Sequence, residues 1–390
     1  MLWYLMDVKK KRSLAFRIFK IFSLSLLSII ILAIAVGVIF VNISPEFGGS
    51  LTEEQKTLYA RSINYEDGVF VNQIPTPMDM SFGSMLSTLR EFIKSSPNRE
   101  PSRPIQVQKP DLQSILNKSD DLARVTWFGH SAFLMEIQGM NLLIDPMFGD
   151  VPAPHPLLGS GRYSEELPIS IEDLPNIDAV FLSHDHYDHL DYGSIVKLKD
   201  KVDEFYVPLG VKVHLQEWNI EESKIHELDW WDEIQHDSLK IVFAPSRHFS
   251  GRGVTGQSET LWGSWIIQSS QHNIYFSGDS GYGPHFKEIG DKFGPFDFAM
   301  LECGQYNERW RNIHLMPEET VTAAIDLQAS LMMPIHWGSF TLALHDWTDP
   351  VDRATKEANR LNVPITTPEI GEPIDLNSST YPQSPWWLDY

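Results

Sequence analysis

Seven consecutive residues constrain this chain more than any other part of its sequence: Ser183-His184-Asp185-His186-Tyr187-Asp188-His189. They follow the apolar run Ala179–Leu182, which is typical of a buried β-strand. Imidazole nitrogens and the Asp188 carboxylate are donors that suit Zn²⁺ or another first-row divalent ion. On leaving the strand, His184 and His186 turn to one side while Asp188 and His189 reach a neighbouring position, which favours two adjacent ions. A histidine-rich surface turn is the alternative, and the spacing H-x-H-x-D-H disfavours it.

Short apolar or alternating runs, separated by turn residues, dominate the chain from Arg124 onward. Pro317 begins a helix to about Gln328, with proline at the first helical position and acids in the first turn, and Asp349 begins another to about Arg360. Strands with interspersed helices predict a layered α/β sandwich. The predicted strands are Val125–Phe128, Ala132–Ile137, Asn141–Ile144, Ala179–Leu182, Glu204–Val207, Leu239–Ala244, Leu261–Gln268, Asn273–Phe276, Phe296–Leu301 and Ser330–Ile335.

The N-terminal segment has the pattern of a membrane anchor. Residues 1–20 carry six basic residues and one acid, and the uncharged run Ile21–Ile43 follows. A helix over that run is about 34 Å long, enough to cross a hydrocarbon layer of roughly 30 Å. A cleaved signal peptide is the alternative, but the run is too long for one and no A-x-A-like site follows it. The positive-inside rule predicts that residues 1–20 are cytoplasmic and that the rest of the chain is extracytoplasmic, in a bacterium periplasmic.

Residues 44–120 contain Gly48-Gly49, proline-bounded segments and the polar stretch 95–110, with little periodicity. We interpret them as a linker that wraps onto one domain formed by residues 121–390.

Charge and cysteine content narrow the function. Beyond residue 20 the chain carries 25 basic and 51 acidic residues, a formal charge of −26. Such a charge repels phosphate backbones, so a nucleic-acid partner is disfavoured. Cys303 is the only cysteine, which excludes an intramolecular disulfide and a cysteine-rich metal site.

The histidine cluster resembles the metal-binding motif of the metallo-β-lactamase superfamily. The likeness to that superfamily covers roughly residues 124–350 of the chain. Within the superfamily, the chain is similar to the N-acyl-phosphatidylethanolamine-hydrolysing phospholipase D family. This likeness implies an αββα sandwich with metals at one edge of the two sheets. The segments that carry the closer likeness are Trp127-Phe128-Gly129-His130, Asp145-Pro146, Trp262-Gly263-Ser264-Trp265, Gly278-Asp279-Ser280-Gly281-Tyr282, Arg309-Trp310 and His336-Trp337-Gly338.

The resemblance also implies a metal-ligand set. One ion would be held by His184, His186 and His248, the other by Asp188, His189 and His336, and Asp279 would bridge them. His248, Asp279 and His336 each follow a predicted strand, where a lone histidine or aspartate is usually a surface or turn residue. Their joint occurrence in the expected order favours ligation.

Three further residues are expected at the site. The resemblance gives Asp145 the role of orienting a ligating imidazole, where the alternative is a turn-forming Asp-Pro pair. It places His314 near a substrate phosphate, although Met316 stands where the family commonly has an acid. His130 is a candidate substrate contact or a structural histidine. The loops 151–166 and 306–314 are expected to line the pocket.

The expected function is that of a zinc-dependent phosphodiesterase that releases phosphatidic acid and an N-acylethanolamine from a membrane phospholipid. Two ions about 3.5 to 4 Å apart lower the pKa of a shared water to about 7, so hydroxide is the expected nucleophile. Asp188 would handle its proton, and His314 would donate to a phosphate oxygen. Three alternatives stand beside this: a hydrolase of lactones or of other esters and phosphodiesters, a true β-lactamase, and a non-catalytic metal-binding scaffold at the membrane.

Overall fold

The computed structural model describes residues 2–79, 81–94, 97–253 and 255–390, with the backbone alone for residues 2–15 and 82. The chain divides into two compact units, of which one ends at Phe47 and the other runs from Gly48 to Tyr390. In the first unit, helix α1 (Leu2–Ile43) contains a stretch, Phe16–Ile43, that is long and apolar enough to cross a membrane. The predicted span Ile21–Ile43 lies inside it. The side chains of Lys9 to Arg12 and residues 95 and 96 lie outside the described parts.

The second unit contains helices and strands in alternation. Its helices are α2 (Glu53–Tyr59), α3 (Phe82–Ile93), α4 (Leu112–Leu116), α5 (Tyr192–Leu198), α6 (Lys212–Glu217), α7 (His285–Phe293), α8 (Pro317–Asp326) and α9 (Asp349–Leu361). Its strands are β1 (Tyr65–Glu66), β2 (Val69–Phe70), β3 (Ala123–Trp127), β4 (Phe133–Ile137), β5 (Met140–Ile144), β6 (Ile177–Phe181), β7 (Val202–Pro208), β8 (Ile225–Leu228), β9 (Glu233–His236), β10 (Leu239–Ala244), β11 (Ser264–Gln268), β12 (Asn273–Phe276), β13 (Phe298–Glu302), β14 (Met332–Ile335) and β15 (Pro373–Asp375).

Two large sheets form the centre of this unit. One has the strand order β15-β3-β4-β5-β6-β7-β8 and the other β14-β13-β12-β11-β10-β9, while β1 and β2 form a small hairpin. Strands β5 to β8 run parallel, as do β12 to β14.

Burial on both faces of each sheet explains the layer order. One apolar cluster fills the space between the sheets, with Trp127 and Phe133 from one sheet and Phe243 and Trp265 from the other. A second cluster joins the outer face of the seven-stranded sheet to α5, and a third joins the outer face of the six-stranded sheet to α7, α8 and α9. The central strands of these sheets therefore need apolar residues on both sides, which is why they read as continuous apolar runs. The result is the predicted αββα sandwich.

Strand direction gathers the polar loops at one edge. The carboxyl ends of β5 and β6 share an edge because the two strands are parallel. Strand β3 runs in the same direction, since β4 is antiparallel to both β3 and β5. In the other sheet β10 has the direction of β12 for the same reason. Backbone hydrogen bonds between His130 and residues 336 and 337 join the two sheets at this edge.

The predicted strands are confirmed within a few residues at each end, and the helices at Pro317 and Asp349 begin where expected. The sequence reading did not predict β8, β9, β15 or helices α2 to α7, which are short or lie at sheet edges. Residues 48–120 include α2, α3, α4 and the β1–β2 hairpin. The side-chain amide of Asn72, in this segment, donates to the backbone carbonyl of His248 at 2.7 Å and accepts the backbone N–H of His248 at 3.1 Å.

Candidate metal centre

Three imidazoles from two loops converge on one point. His184 and His186 leave β6, and His248 follows β10. The Nε2 of His184 lies 2.9 Å from the Nδ1 of His186, which lies 3.2 Å from the Nε2 of His248. The Nδ1 of His248 donates to the carbonyl of Ile313 at 2.8 Å, which leaves its Nε2 with a lone pair directed at the cluster.

A second group lies beside the first. The Nε2 of His189 is 3.6 Å from Oδ2 of Asp188, and the Nε2 of His336 is 3.8 Å from the same oxygen. His130 contacts this oxygen too, with its Nε2 at 2.9 Å. His130, Asp188, His189 and His336 offer ligand atoms that all lie within 4.8 Å of one another.

Asp279 lies between the two groups and turns one oxygen to each. Its Oδ2 is 3.9 Å from Nε2 of His184 and 3.8 Å from Nε2 of His248. Its Oδ1 is 3.1 Å from Nε2 of His189 and 3.0 Å from Nδ1 of His336. Gly278 before it has φ +55°, and a Cβ there would lie 2.6 Å from the carbonyl oxygen of Gly263. Only glycine fits at that position, so the turn that delivers Asp279 needs it.

Asp145 supports the second group from behind. Its Oδ2 accepts the Nδ1–H of His189 at 2.7 Å, and its Oδ1 accepts the backbone N–H of Ser183 at 2.7 Å. The remaining nitrogen of His189 therefore points toward Asp279. Asp145 therefore contacts an imidazole of the cluster, and its role in orienting a metal ligand stays a prediction.

Asp185, inside the motif, holds the loop itself. Its buried carboxylate accepts the N–H of Gly251 at 2.7 Å and the hydroxyl of Thr260 at 2.9 Å. Burial opposes its charge, but contact with His214 lowers the pKa of Asp185 below its ordinary value. The sequence reading gave this residue no role, because nothing local distinguishes it from its neighbours.

Backbone strain marks the same edge. His130, Asp145 and His336 have φ values of +55°, +40° and +67°. Non-glycine residues adopt this conformation at a cost of order 1–3 kcal/mol and keep it only where the surrounding structure imposes it, which is common at functional sites.

Burial sets the charge of the first group. It lowers the pKa of His184 and His248 well below the ordinary value of histidine, and it lowers the pKa of His186 to about 4. These rings are therefore neutral at pH 7, the state in which an imidazole binds a metal.

Burial also lowers the pKa of His336 well below, and that of His130 below, the ordinary value of histidine, but His189 behaves differently because carboxylates surround it. Burial opposes a charge on His189, but Asp279, Asp188 and Asp145 outweigh it and raise the pKa of His189 well above its ordinary value. Burial raises the pKa of Asp279 to about 6, against the opposing effect of His189.

These residues fit a divalent cation. Buried polar atoms normally have partners, yet among the described residues the Nε2 of His189 and the Oδ1 of Asp279 make no well-aligned hydrogen bond. Ligand atoms of a tetrahedral zinc site, at metal distances of 2.0–2.1 Å, lie about 3.3 Å apart. The distances of 2.9 and 3.2 Å within the first group and 3.0 and 3.1 Å at Asp279 Oδ1 approach that value. A cation would give the two unpaired atoms a partner, and it would explain why the ring nitrogens lie so close to one another.

His314 joins the site through a residue that the sequence reading missed. Its Nδ1 lies 2.7 Å from Oε1 of Glu302, a fully buried carboxyl group at the end of β13. The other oxygen of Glu302 accepts backbone N–H groups of Ser280 and Leu315 at 3.2 and 3.0 Å. Glu302 therefore fixes the ring of His314. A charged residue closing an apolar strand, Phe298–Glu302, was the available signal.

A cavity of about 570 Å³ opens beside the cluster. Four groups of residues line it: His186, Asp188, His248, Asp279, His314 and His336 from the cluster; Arg309, Trp310 and Ile313 from the loop before α8; Met78, Asp79, Ser84, Met85, Thr88, Leu89 and Phe92 from α3 and the residues before it; and Phe249, Gln305 and Leu342. Its size is typical of a small-molecule site.

The residues that line this cavity differ from the expected ones at the loop 151–166 and at His130. The loop 306–314 lines it, as predicted. In the part of the chain that the structure describes, the loop 151–166 instead lines a second cavity of about 470 Å³ with Arg162, Glu165 and Glu166. His130 is not among the described residues lining the first cavity; it contacts Asp188 and stacks on His336 at 4.0 Å between ring centroids.

Comparison with known families agrees with this geometry. The model of the beta-lactamase superfamily domain matches residues 140–337. An uncharacterised protein of Mycobacterium tuberculosis is 39% identical over 334 residues, which are 84% of this chain and 88% of that protein.

Two further proteins are similar over a shorter range. The N-acyl-phosphatidylethanolamine-hydrolysing phospholipase D 1 of Caenorhabditis elegans is 31% identical over 241 residues, 58% of this chain and 67% of that protein. The crystal structure of a possible metal-dependent hydrolase from Veillonella parvula has a TM-score of 0.50 at 16% identity, and the match covers 65% of this chain and 99% of that one. The last likeness supports the fold alone.

Proposed function

The chain belongs to the beta-lactamase superfamily and is a metal-dependent hydrolase, and on this premise we propose that it hydrolyses N-acylated phosphatidylethanolamine. Water would be added across the phosphodiester, so that the bond between phosphorus and the ethanolamine oxygen breaks. The products would be phosphatidic acid and an N-acylethanolamine. The similarity to the C. elegans enzyme supports this substrate.

One observation carries the proposal: Asp279 turns one oxygen to each of two groups of buried ligands, and both groups border a cavity with an apolar side. A phosphodiester with a hydrocarbon chain has the same two-sided character.

We assign the ligands as the sequence predicted. His184, His186 and His248 would hold one ion, Asp188, His189 and His336 the other, and Asp279 both. Zinc suits this nitrogen-rich set. When bound, such ions lower the pKa of water and polarise phosphoryl oxygens.

The chain's own residues would orient the substrate and move protons. Burial raises the pKa of Glu302 well above its ordinary value, so its carboxyl group is protonated and donates to Nδ1 of His314. The Nε2–H of that ring is then free to donate to a phosphoryl oxygen. Asp188 lines the cavity, and burial opposes its charge, but His189 and His130 lower its pKa well below the ordinary value. It is therefore ionised, and we assign it the role of taking up the proton released by water. His130 orients it through the contact at 2.9 Å.

Helix α1 supports a location of the enzyme at a membrane. The run Ile21–Ile43, within its apolar stretch Phe16–Ile43, would anchor the chain in a bilayer, with residues 1–20 in the cytoplasm and the hydrolase unit outside. A tether of this kind raises the effective concentration of an enzyme at a membrane-resident substrate.

The test is hydrolysis of N-acyl-phosphatidylethanolamine in mixed micelles by the full-length protein, with and without a chelator. We expect chelator-sensitive release of phosphatidic acid. Absence of release by metal-loaded protein would overturn the lipid assignment, and assays on lactones and other phosphodiesters would then decide between the alternatives.

A further inference from the structure

One side of the cavity is a helix face rather than a loop. Ser84, Met85, Thr88, Leu89 and Phe92 of α3 line it, at spacings of one, three and four residues that place them along one side of a helix. From Met85 to Phe92 this face extends about 10 Å at 1.5 Å per residue. We call Met85, Leu89 and Phe92 the apolar roof.

The roof is exposed although it is apolar. Met85 and Leu89 are 53% and 55% exposed, and Phe92 is 38% exposed. Burying such side chains is favourable, so a helix that leaves three of them in solvent beside a cavity has an unfilled contact.

The helix is nevertheless fixed in place. Arg309 makes a two-pronged ion pair with Glu91, at 2.7 and 3.0 Å, and contacts Ser87 at 3.3 Å. Arg99 donates to the carbonyls of Glu91 and Phe92 at the end of the helix, at 2.7 and 3.2 Å. The loop that carries His314 thus also carries the residue that holds the roof. This gives Arg309, singled out in the sequence for its family likeness, a structural role.

We propose that the apolar roof is the binding surface for the hydrocarbon chain of the substrate. Arg309 is a positioning residue that holds the roof beside the metal-ligand edge, by which we mean the buried histidines and aspartates at the ends of the strands. The inference rests on the proposed function, because it identifies which part of the pocket selects a lipid. A single molecule must satisfy both sides of the cavity, since the roof and the ligand cluster line the same space. An amphiphile meets that requirement: its phosphoryl group lies at the histidines and its chain lies along the helix.

The occupant is therefore a long-chain phosphodiester rather than a small polar ester. Each methylene that leaves water for an apolar surface should raise affinity about fourfold, so affinity should rise steeply with chain length until the roof is covered.

A binding experiment tests this without requiring turnover. Full-length protein in lipid nanodiscs is titrated with butyl-, octyl- and dodecylphosphonate, whose shared head group can occupy the histidine edge. We expect the dodecyl compound to bind at least about 100-fold more tightly than the butyl compound. In Leu89→Ser that preference should fall about tenfold, and Met85→Ser should give a similar change.

Leu157→Ser is the matched control, because Leu157 is 87% exposed and is not among the described residues that line this cavity. Partition into the nanodisc is common to all the proteins, so the difference between variants reports the pocket. An unchanged chain-length preference in both roof variants, or an equal loss in the Leu157 variant, would overturn the inference. Failure to cleave the phospholipid while this preference is present would overturn the proposed function alone.

Discussion

The two sides of the cavity are built in opposite ways. At the metal-ligand edge His184, His248 and Asp279 are at most 3% exposed and follow the ends of strands. At the roof Met85 and Leu89 are more than half exposed, on a helix tethered by ion pairs and backbone contacts. Rigid placement favours chemistry, because reacting groups must be held to a fraction of an ångström. An exposed apolar face favours recognition of a flexible chain.

This contrast predicts that changes at the edge abolish turnover of every substrate, whereas changes at the roof alter preference among substrates.

Asp279→Asn should have the largest effect. The change preserves shape but removes the charge that both ligand groups share, so we expect hydrolysis to fall on the order of 1,000-fold. Metal content should fall too, while the circular dichroism spectrum and melting temperature stay close to those of the parent. Asp291→Asn, at an exposed carboxylate on α7, is the control. Comparable activity in Asp279→Asn with reduced metal content would show that the residue does not bridge.

Glu302→Leu should reduce kcat about 100-fold, the lower end of the contribution of a positioned proton donor. Leucine has no polar side-chain atom, so it can neither engage His314 nor accept from the backbone N–H groups as Glu302 does. If Glu302 acts through His314, the double variant with His314→Ala should be no slower than His314→Ala alone. Additive losses would instead show that Glu302 acts by another route.

Asp145→Asn should weaken metal binding about 10- to 100-fold, the usual cost of losing the partner of a ligating imidazole. Competition with a chelator of known affinity measures this directly. Restoration of hydrolysis by excess metal would sharpen the contrast, because it would separate metal retention from catalysis. Unchanged affinity would remove Asp145 from the account.

Arg309→Gln should have the smallest effect. Its ion pair with Glu91 is partly exposed, so the free energy of unfolding should change by less than about 1 kcal/mol in urea denaturation. The preference for dodecyl- over butylphosphonate should fall a few fold, because the roof is less well held. A loss of turnover as large as that of Asp279→Asn would break the distinction between the two regions.

More of the metal-ligand edge than of the apolar roof could be predicted from the sequence, because the two regions leave different local patterns. The ligands of the edge are polar residues at the ends of apolar strands, so residues such as Asp279 and His336 carry a local signal that the strand order then brings together. Helix α3 lies outside the strand-rich part of the chain, and its residues Met85 and Leu89 remain more than half exposed. A role for Met85 and Leu89 follows only from their position in the folded chain, beside the distant loop that holds Arg309. Glu302 was missed because a single charged residue at the end of an apolar strand, Phe298–Glu302, is a weak signal on its own.

Metal content tests the central claim most directly. Mass spectrometry of full-length protein purified without added metal, followed by stepwise removal with a chelator, gives the number of ions per chain and the activity at each number. The two-sided arrangement around Asp279 predicts about two ions per chain and loss of hydrolysis as they are withdrawn. A folded protein that hydrolyses its substrate at full rate with no metal, or that never binds more than one ion, would contradict it.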